Sequence, residues 1–285
     1  MLRSLRLGRA FGIPLFVHPT FLLIILWALY STRAHGLFAV AFVVAGVLAV
    51  FGCVLLHELG HALMARYFGI RTRDITLYPI GGVARLDRMS EKPHEELCIA
   101  LAGPAVNVAI AALLTPFLIM AAFSGAIPDA TDLFTSVDGP VSFVGGFLLW
   151  LWQANVFLVL FNMIPAFPMD GGRVFRAILA GMLGVVRATD IAGRVGLIVA
   201  MLLAVLGILA GNPMLVLVSL FVAFVGQQER LMVRYQAAQR QAAARTRQPV
   251  VTGSPGFSGF LWDARDRVWV RWVDGRPVAY YSPAE

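Results

Sequence analysis

Long apolar runs separated by short polar segments dominate this chain. A helix that crosses a lipid bilayer needs about 20 predominantly apolar residues. Runs of that kind predict six membrane spans, at residues 13–31, 38–64, 97–123, 141–163, 190–210 and 213–227. The last two are separated by Gly211-Asn212-Pro213, a typical turn sequence. The pattern therefore predicts an all-α polytopic membrane protein.

Two polar segments between the spans do not fit a helix. Residues 72–88 are rich in β-branched residues and are broken by Gly81-Gly82. We expect two short strands or a re-entrant β-loop there, since non-helical backbone is tolerated at membrane depth only where protein or water satisfies it. Residues 164–173 contain Pro165 and Pro168, which remove helical hydrogen-bond donors. This second segment is predicted to be unwound.

The residues after the last apolar run differ in character from the rest. Residues 228–247 are rich in Gln, Ala and Arg and predict a polar helix. Farther on, alternating apolar and polar residues on both sides of Asp274-Gly275 predict a β-hairpin. We divide the chain into an intramembrane domain, residues 1–227, and a short C-terminal tail, residues 228–285.

Composition and charge agree with a membrane protein and orient it. The chain has 285 residues, of which 59% are hydrophobic and 14% charged, with a mean hydropathy of +0.78; soluble domains have roughly 25% charged residues. With six spans and a cytoplasmic N-terminus, 22 of the 23 basic residues fall on or next to cytoplasmic segments and only Arg33 lies outside. The positive-inside rule thus predicts a multi-pass protein of the cell membrane with both termini in the cytoplasm. The net charge of +7 then reflects topology, and no nucleic-acid partner is expected.

The second span ends in His57-Glu58-Leu59-Gly60-His61, a zinc-protease signature. Histidines at positions i and i+4 of a helix share a face and can bind one metal ion, and Glu58 is placed to act as general base. Ionisable residues inside a membrane segment indicate function by default. His61 precedes Arg66 by five residues, about 7 Å of helix, so we expect the site inside the membrane near its cytoplasmic face.

A catalytic zinc site usually has three protein ligands, so one ligand remains to be found. Glu95 or Glu96 could supply it, although both lie in a polar cluster that fits the solvated start of a helix. Asp170 is the better candidate, because it follows the fourth span on the same side of the membrane, in the Pro- and Gly-rich segment.

The two motifs together resemble the site-2 protease family of intramembrane zinc metalloproteases, peptidase family M50. The resemblance rests on the motif at 57–61, on residues 162–172 (Asn-Met-Ile-Pro-Ala-Phe-Pro-Met-Asp-Gly-Gly), and on Gly103-Pro104-Ala105-Val106-Asn107. It covers about residues 10–227. The resemblance implies one Zn²⁺ per chain, bound by His57, His61 and Asp170, with Glu58 as catalytic base.

The same resemblance assigns further residues. Asn162 matches a motif Asn that helps to bind the substrate or transition state, and Gly81-Gly82 matches the re-entrant β-loop. Asn107 either packs between spans or contacts the site. The chain looks closer to the compact six-span branch, without PDZ or CBS domains, than to the members that contain PDZ domains. The implied substrates are transmembrane proteins in the lipid bilayer, cleaved by regulated intramembrane proteolysis, with a regulatory membrane partner.

Two other classes of function remain open at this point. One is a catalytically inactive membrane scaffold, which the intact set of candidate residues argues against. The other is a metal transporter. A transporter needs ligands along a path, whereas these candidates converge at one depth beside a general base.

Overall fold

The computed structural model describes residues 4–32, 36–79, 81–88, 90, 92–125, 140–246, 256–263 and 268–282. The chain divides into two compact units, Met1–Arg230 and Leu231–Glu285. Residues 126–139, between the third and fourth predicted spans, contain Asp129, Asp132 and Asp138 and lie outside the described residues.

Helices make up most of the described chain. They are α1 (Leu22–Thr32), α2 (Gly36–Tyr67), α3 (Pro93–Phe123), α4 (Pro140–Asn162), α5 (Asp170–Leu183), α6 (Val185–Leu209) and α7 (Pro213–Thr246). The strands are β1 (Leu5–Ala10), β2 (Ile13–Val17), β3 (Thr72–Tyr78), β4 (Gly81–Leu86), β5 (Gly259–Asp263), β6 (Val268–Val273) and β7 (Arg276–Tyr281).

Five of the described helices are long and apolar enough to cross a membrane: α2, α3, α4, α6 and α7. The first predicted span, residues 13–31, is not among them. Its first part is strand β2, which pairs with two other strands, and its remainder is a 3-10 turn at Pro19–Phe21 followed by the 11-residue helix α1. Hydropathy could not distinguish a membrane-spanning helix from a buried strand followed by a short helix, because a buried strand and a buried helix are equally apolar.

A four-stranded sheet in the order β1-β2-β3-β4 packs against α2. The pairs β1–β2 and β3–β4 are antiparallel, and β2 and β3 are parallel, with Leu15 opposite Ile75. Leu59 of α2 packs in a core cluster with Ile13 and Ile75. The prediction of an all-α fold is therefore incomplete, since only the strands at 72–88 were expected in this unit.

The Pro-rich segment is shorter than predicted. Residues 163–169 form turns, but Asp170 already begins α5. The expectation that Asp170 lies in unwound chain is wrong, because no proline follows Pro168 and the helical ladder can start after it. Gly171 and Gly172 pack against the backbone of residues 163–167, where a Cβ atom would overlap main-chain atoms. These two glycines hold the start of α5 against the turn.

The polar helix expected at 228–247 is the continuation of α7, which runs to Thr246 without a break. In the second unit β5, β6 and β7 form an antiparallel sheet, and the β6–β7 turn contains Asp274 and Gly275. Strand β5 was not predicted. Among the described residues of this sheet, Val270 and Trp272 of β6 are the buried apolar ones.

Candidate metal centre

Three side chains from two helices meet in the interior of the first unit. His57 and His61, on one face of α2, have their Nε2 atoms 3.0 Å apart. The Oδ2 atom of Asp170, at the start of α5, lies 3.1 Å from each of them. The exposed fractions of the three residues are only 5%, 5% and 7%. Among the described residues this is the one group of three or more potential metal ligands.

Hydrogen bonds on the far side of each imidazole orient the two rings. His57 Nδ1 lies 2.6 Å from Asn107 Oδ1, and His61 Nδ1 lies 2.7 Å from the carbonyl oxygen of Ile99. Both partners are acceptors, so each Nδ1 carries the hydrogen and donates it. Each Nε2 then presents a lone pair to the other and to the Asp170 carboxylate.

The amide of Asn107 is itself oriented by a second amide. Asn107 Nδ2 donates to Asn155 Oδ1 at 2.8 Å, and Asn155 Nδ2 donates to the carbonyl of Leu151 at 2.8 Å. Both asparagines are fully buried. The chain of donors leaves the Asn107 oxygen facing His57. Such a partner fixes the tautomer of a metal-binding histidine and raises its basicity.

The donor set fits zinc. Two imidazole nitrogens with free lone pairs and a carboxylate oxygen would repel one another at 3.0–3.1 Å unless a cation lay between them. Tetrahedral zinc with bonds of 2.0–2.1 Å places its ligand atoms about 3.3 Å apart, close to this spacing. Three protein ligands leave the fourth position open, as in catalytic zinc sites.

Gly103 of α3 allows the cluster to form next to a neighbouring helix. A Cβ atom at this position would overlap the Nε2 atoms of both histidines, at 2.7 Å from that of His57. Gly60 of α2 similarly lies against the α3 backbone, where a Cβ would be 2.7 Å from the carbonyl oxygen of Ala102. Small residues thus bring α2 and α3 close together beside the ligand atoms.

Glu58 lies one residue round the helix from His57 and is half-buried. Its side chain packs against Gly82 of β4, where a Cβ atom would be 2.5 Å from Glu58 Cγ. The two predicted motifs at 57–61 and 81–82 are therefore in contact. Strand β4 is at the edge of the sheet and pairs with β3 on one side.

The remaining predicted residues lie at different distances from the cluster. Asn107 is hydrogen-bonded to His57, a member of the cluster. Asn162 is the last residue of α4, and none of the hydrogen bonds among the described side chains joins it to the cluster. Glu95 binds Ser90 and Lys92, and Glu96 pairs with Arg176, so the alternative third ligands are engaged elsewhere.

Arg176 was not predicted, yet it connects three helices. This arginine of α5 is 3% exposed and forms ion pairs with Glu96 of α3 and with Glu229 of α7, the latter at 2.7 Å. Its guanidinium carbon also lies 5.1 Å from the centre of the Phe167 ring. Burial alone would lower the pKa of Arg176, but the two carboxylates outweigh it and raise that pKa, which keeps the guanidinium charged. The ion pairs fix the helix that carries Asp170.

Sequence reasoning also missed Gly103 and Asn155 as parts of the site. Gly103 belonged to a quoted motif, and its offset of four residues from Asn107 could have placed both on one face of α3. Asn155 is an amide inside an apolar span, and such a residue usually finds a polar partner within the helical bundle. Arg176 carried no such signal, because it lies in a segment predicted to be cytoplasmic, where basic side chains are common.

Apolar helices around a buried His-His-Asp cluster define a polytopic membrane metalloenzyme, and comparisons with known proteins identify which kind. The sequence profile of peptidase family M50 matches residues 45–203. A zinc metalloprotease from Methanocaldococcus jannaschii is 36% identical over 256 residues, which are 89% of this chain and 68% of that protein. Rip3 of Mycobacterium tuberculosis is 32% identical over 266 residues, 86% of this chain and 64% of Rip3. The solved structure of the site-2 protease from Methanocaldococcus jannaschii matches with a TM-score of 0.55 and 36% identity, covering 80% of this chain and 95% of that one.

The chain belongs to peptidase family M50, the site-2 protease family. It is a membrane zinc metalloprotease, and the resemblance deduced from its motifs is confirmed. The chain spans about two thirds of the length of the two relatives compared by sequence.

Proposed function

We propose that His57, His61 and Asp170 bind the catalytic zinc and that Glu58 is the general base for hydrolysis of peptide bonds in transmembrane segments. The observation that carries this proposal is the convergence of two oriented Nε2 atoms and one carboxylate oxygen within 3.1 Å of each other. When bound, zinc acidifies a water molecule and polarises the peptide carbonyl. Glu58 accepts the proton of the attacking water and returns it to the leaving amine.

The substrate is proposed to bind as an added β-strand. A transmembrane helix hides its carbonyl groups in its own hydrogen bonds, so the segment must unwind before cleavage. Strand β4 is an edge strand, and its Gly82 packs against Glu58. An extended segment that pairs with β4 gains main-chain hydrogen bonds beside the general base. Gly81 and Gly82 have no side chains that would obstruct this approach.

Asn162 is proposed to contact the substrate or the transition state. It ends α4 immediately before the turns at 163–169 that lead to Asp170. Its amide offers two donors and an acceptor at the mouth of this turn segment. Asn107 is assigned instead to the orientation of His57.

The protein is proposed to lie in the cell membrane, with both termini in the cytoplasm. If both termini are on the same side, the number of membrane crossings is even. A sixth crossing is then needed in addition to the five long helices, and the short apolar helix at Pro19–Thr32 is the candidate. Strands β3 and β4 form the re-entrant loop. The protease domain is residues 1–227 and the tail residues 228–285, close to the division of the chain after Arg230. A membrane protein that controls access of substrates is the expected partner, and no nucleic-acid partner is proposed.

Glu58→Gln is the decisive variant, compared with Glu95→Gln as a matched control. Both remove one carboxylate charge, but the partners of Glu95 among the described residues are Ser90 and Lys92, outside the metal centre. Purified variants are assayed for zinc content and for cleavage of a single-span substrate in liposomes. A protease retains zinc in Glu58→Gln and loses cleavage by at least about 100-fold, whereas Glu95→Gln behaves as wild type. Full cleavage by Glu58→Gln refutes the role of Glu58. If the wild-type protein does not cleave the substrate, zinc transport across the liposome membrane supports a transporter, and retained assembly with a partner supports a scaffold.

A further inference from the structure

We infer that a cleft beside the first hairpin binds a phosphate group, carried by an anionic phospholipid or by a soluble phosphate. The cleft has a volume of about 390 Å³. Its lining includes Arg9 of β1, the β1–β2 turn, the start of β3 and Asp87. None of these residues belongs to the candidate metal centre.

The cleft results from the way β2 and β3 begin. These parallel strands pair from Leu15 opposite Ile75 onward, although β2 starts at Ile13 and β3 at Thr72. The chain before the paired residues therefore forms the walls of an opening at the N-terminal end of the pair. Gly12 lies at this opening with φ +83°, a backbone conformation that favours glycine and keeps the turn narrow.

Positive charge dominates the walls of the cleft. Arg9, Arg71 and Arg73 line it together with a single carboxylate, Asp87. Arg73 donates to Asp87 at 2.5 Å, and no ion pair within the described residues engages Arg9 or Arg71. Guanidinium groups bind phosphate through paired, planar hydrogen bonds. Two guanidinium groups without a carboxylate partner on the walls of one cleft suit a phosphate.

Thr72 supplies an independent indication of a ligand. It lines the same cleft and is 7% exposed, yet its hydroxyl oxygen has no hydrogen-bond partner among the described atoms. A buried hydroxyl without a partner is unfavourable, and such groups call for an explanation such as a missing ligand. A phosphate oxygen between the arginines and this hydroxyl would satisfy it.

The surroundings favour a phosphate at a membrane surface. Arg66, at the end of α2, donates to the carbonyl oxygen of Phe11 at 3.1 Å, which places another guanidinium at the turn. Phe11 and Tyr67 are 67% and 81% exposed. Basic residues next to exposed aromatic rings are typical of segments that contact anionic head groups and acyl chains together.

Two binding measurements on the full-length protein in phospholipid-free detergent test the site and identify the source of the phosphate. Native mass spectrometry compares binding of phosphatidylglycerol with that of phosphatidylcholine. Phosphorus NMR follows the line width of inorganic phosphate as protein is added. Preference for phosphatidylglycerol alone identifies a lipid, and binding of inorganic phosphate alone identifies a soluble anion. Either result supports the site if the variants described below weaken the binding. If neither experiment detects binding, the proposal is overturned.

Three variants and one control make the test specific. Arg9→Gln and Arg71→Gln are each expected to weaken binding about fivefold. Thr72→Val keeps the β-branched shape and removes only the hydroxyl, so it should weaken binding without lowering the melting temperature. Arg187→Gln removes an exposed arginine of α6 away from the cleft and should have no effect. Wild-type affinity in Thr72→Val, or an equal loss in Arg187→Gln, overturns the proposal.

Discussion

Asn107 accepts a hydrogen bond from His57 over a distance of 2.6 Å, and this bond leaves the other nitrogen of the imidazole free to bind metal. The partner of Asn107, Asn155, lies on α4, so three helices determine the state of one ring. Fully buried amides make this arrangement rigid. It explains why a polar residue is present in the middle of the apolar helix α3.

Replacing Asn107 with Leu should lower zinc affinity by about 10- to 100-fold, because His57 loses the acceptor that fixes its tautomer. Asn107→Asp retains an acceptor and should keep most of the affinity. Competition with a fluorescent zinc chelator measures both variants. Equal affinities for Asn107→Leu and wild type would contradict the assigned orientation of His57.

Gly103→Ala should abolish zinc binding, because the added methyl group would occupy the space of both Nε2 atoms. The matched control is Gly52→Ala on α2, where a Cβ atom meets nothing within 4 Å. The control should bind zinc normally and be slightly more stable, since alanine favours a helix by up to about 1 kcal/mol over glycine. Metal analysis of both purified variants decides the matter. A Gly103→Ala protein with a full zinc content would require the ligand atoms to lie elsewhere.

Gly82→Ala is expected to reduce cleavage by about tenfold or more with little loss of zinc. The methyl group would press on the side chain of Glu58, the proposed general base, and a small displacement of such a group lowers the rate strongly. Val83→Ala is the control, because its side chain, 48% exposed, is on the opposite face of β4. The turnover number and zinc content are measured for both. Normal turnover in Gly82→Ala would show that β4 does not position the Glu58 side chain for cleavage.

Arg176→Leu should destabilise the protein by about 3–5 kcal/mol, because it leaves Glu96 and Glu229 without their shared counter-charge. Removing all three charges with Arg176→Leu, Glu96→Gln and Glu229→Gln should restore much of the loss. Thermal unfolding in detergent at constant zinc concentration compares the two proteins with wild type. A triple variant no more stable than the single one would show that packing, and not charge, is the main contribution.

The metal motif and most of the membrane helices could be predicted because their signals are local. His57 and His61 are one helical turn apart, so their common face follows from helix geometry alone. The spans at α2, α3, α4, α6 and α7 follow from apolar runs that are long enough to form helices across a bilayer. Strand β2 was mistaken for part of a span, because its burial depends on β1 and β3, and β3 begins 55 residues after the last residue of β2.

By itself, the sequence determined the class of the protein and the chemistry of its candidate centre. Hydropathy and the spacing of His57, Glu58 and His61 are local properties of the sequence, so they can be interpreted without knowledge of the fold. Only the tertiary structure decided that Asn107, 50 residues from His57, sets the tautomer of that ring and that Gly82 lies against Glu58. It also placed Asp170, 113 residues from His57, on the first turn of a helix instead of in a loop. Contacts between distant segments depend on how closely α2, α3 and α5 pack, and that packing is a property of the assembled fold.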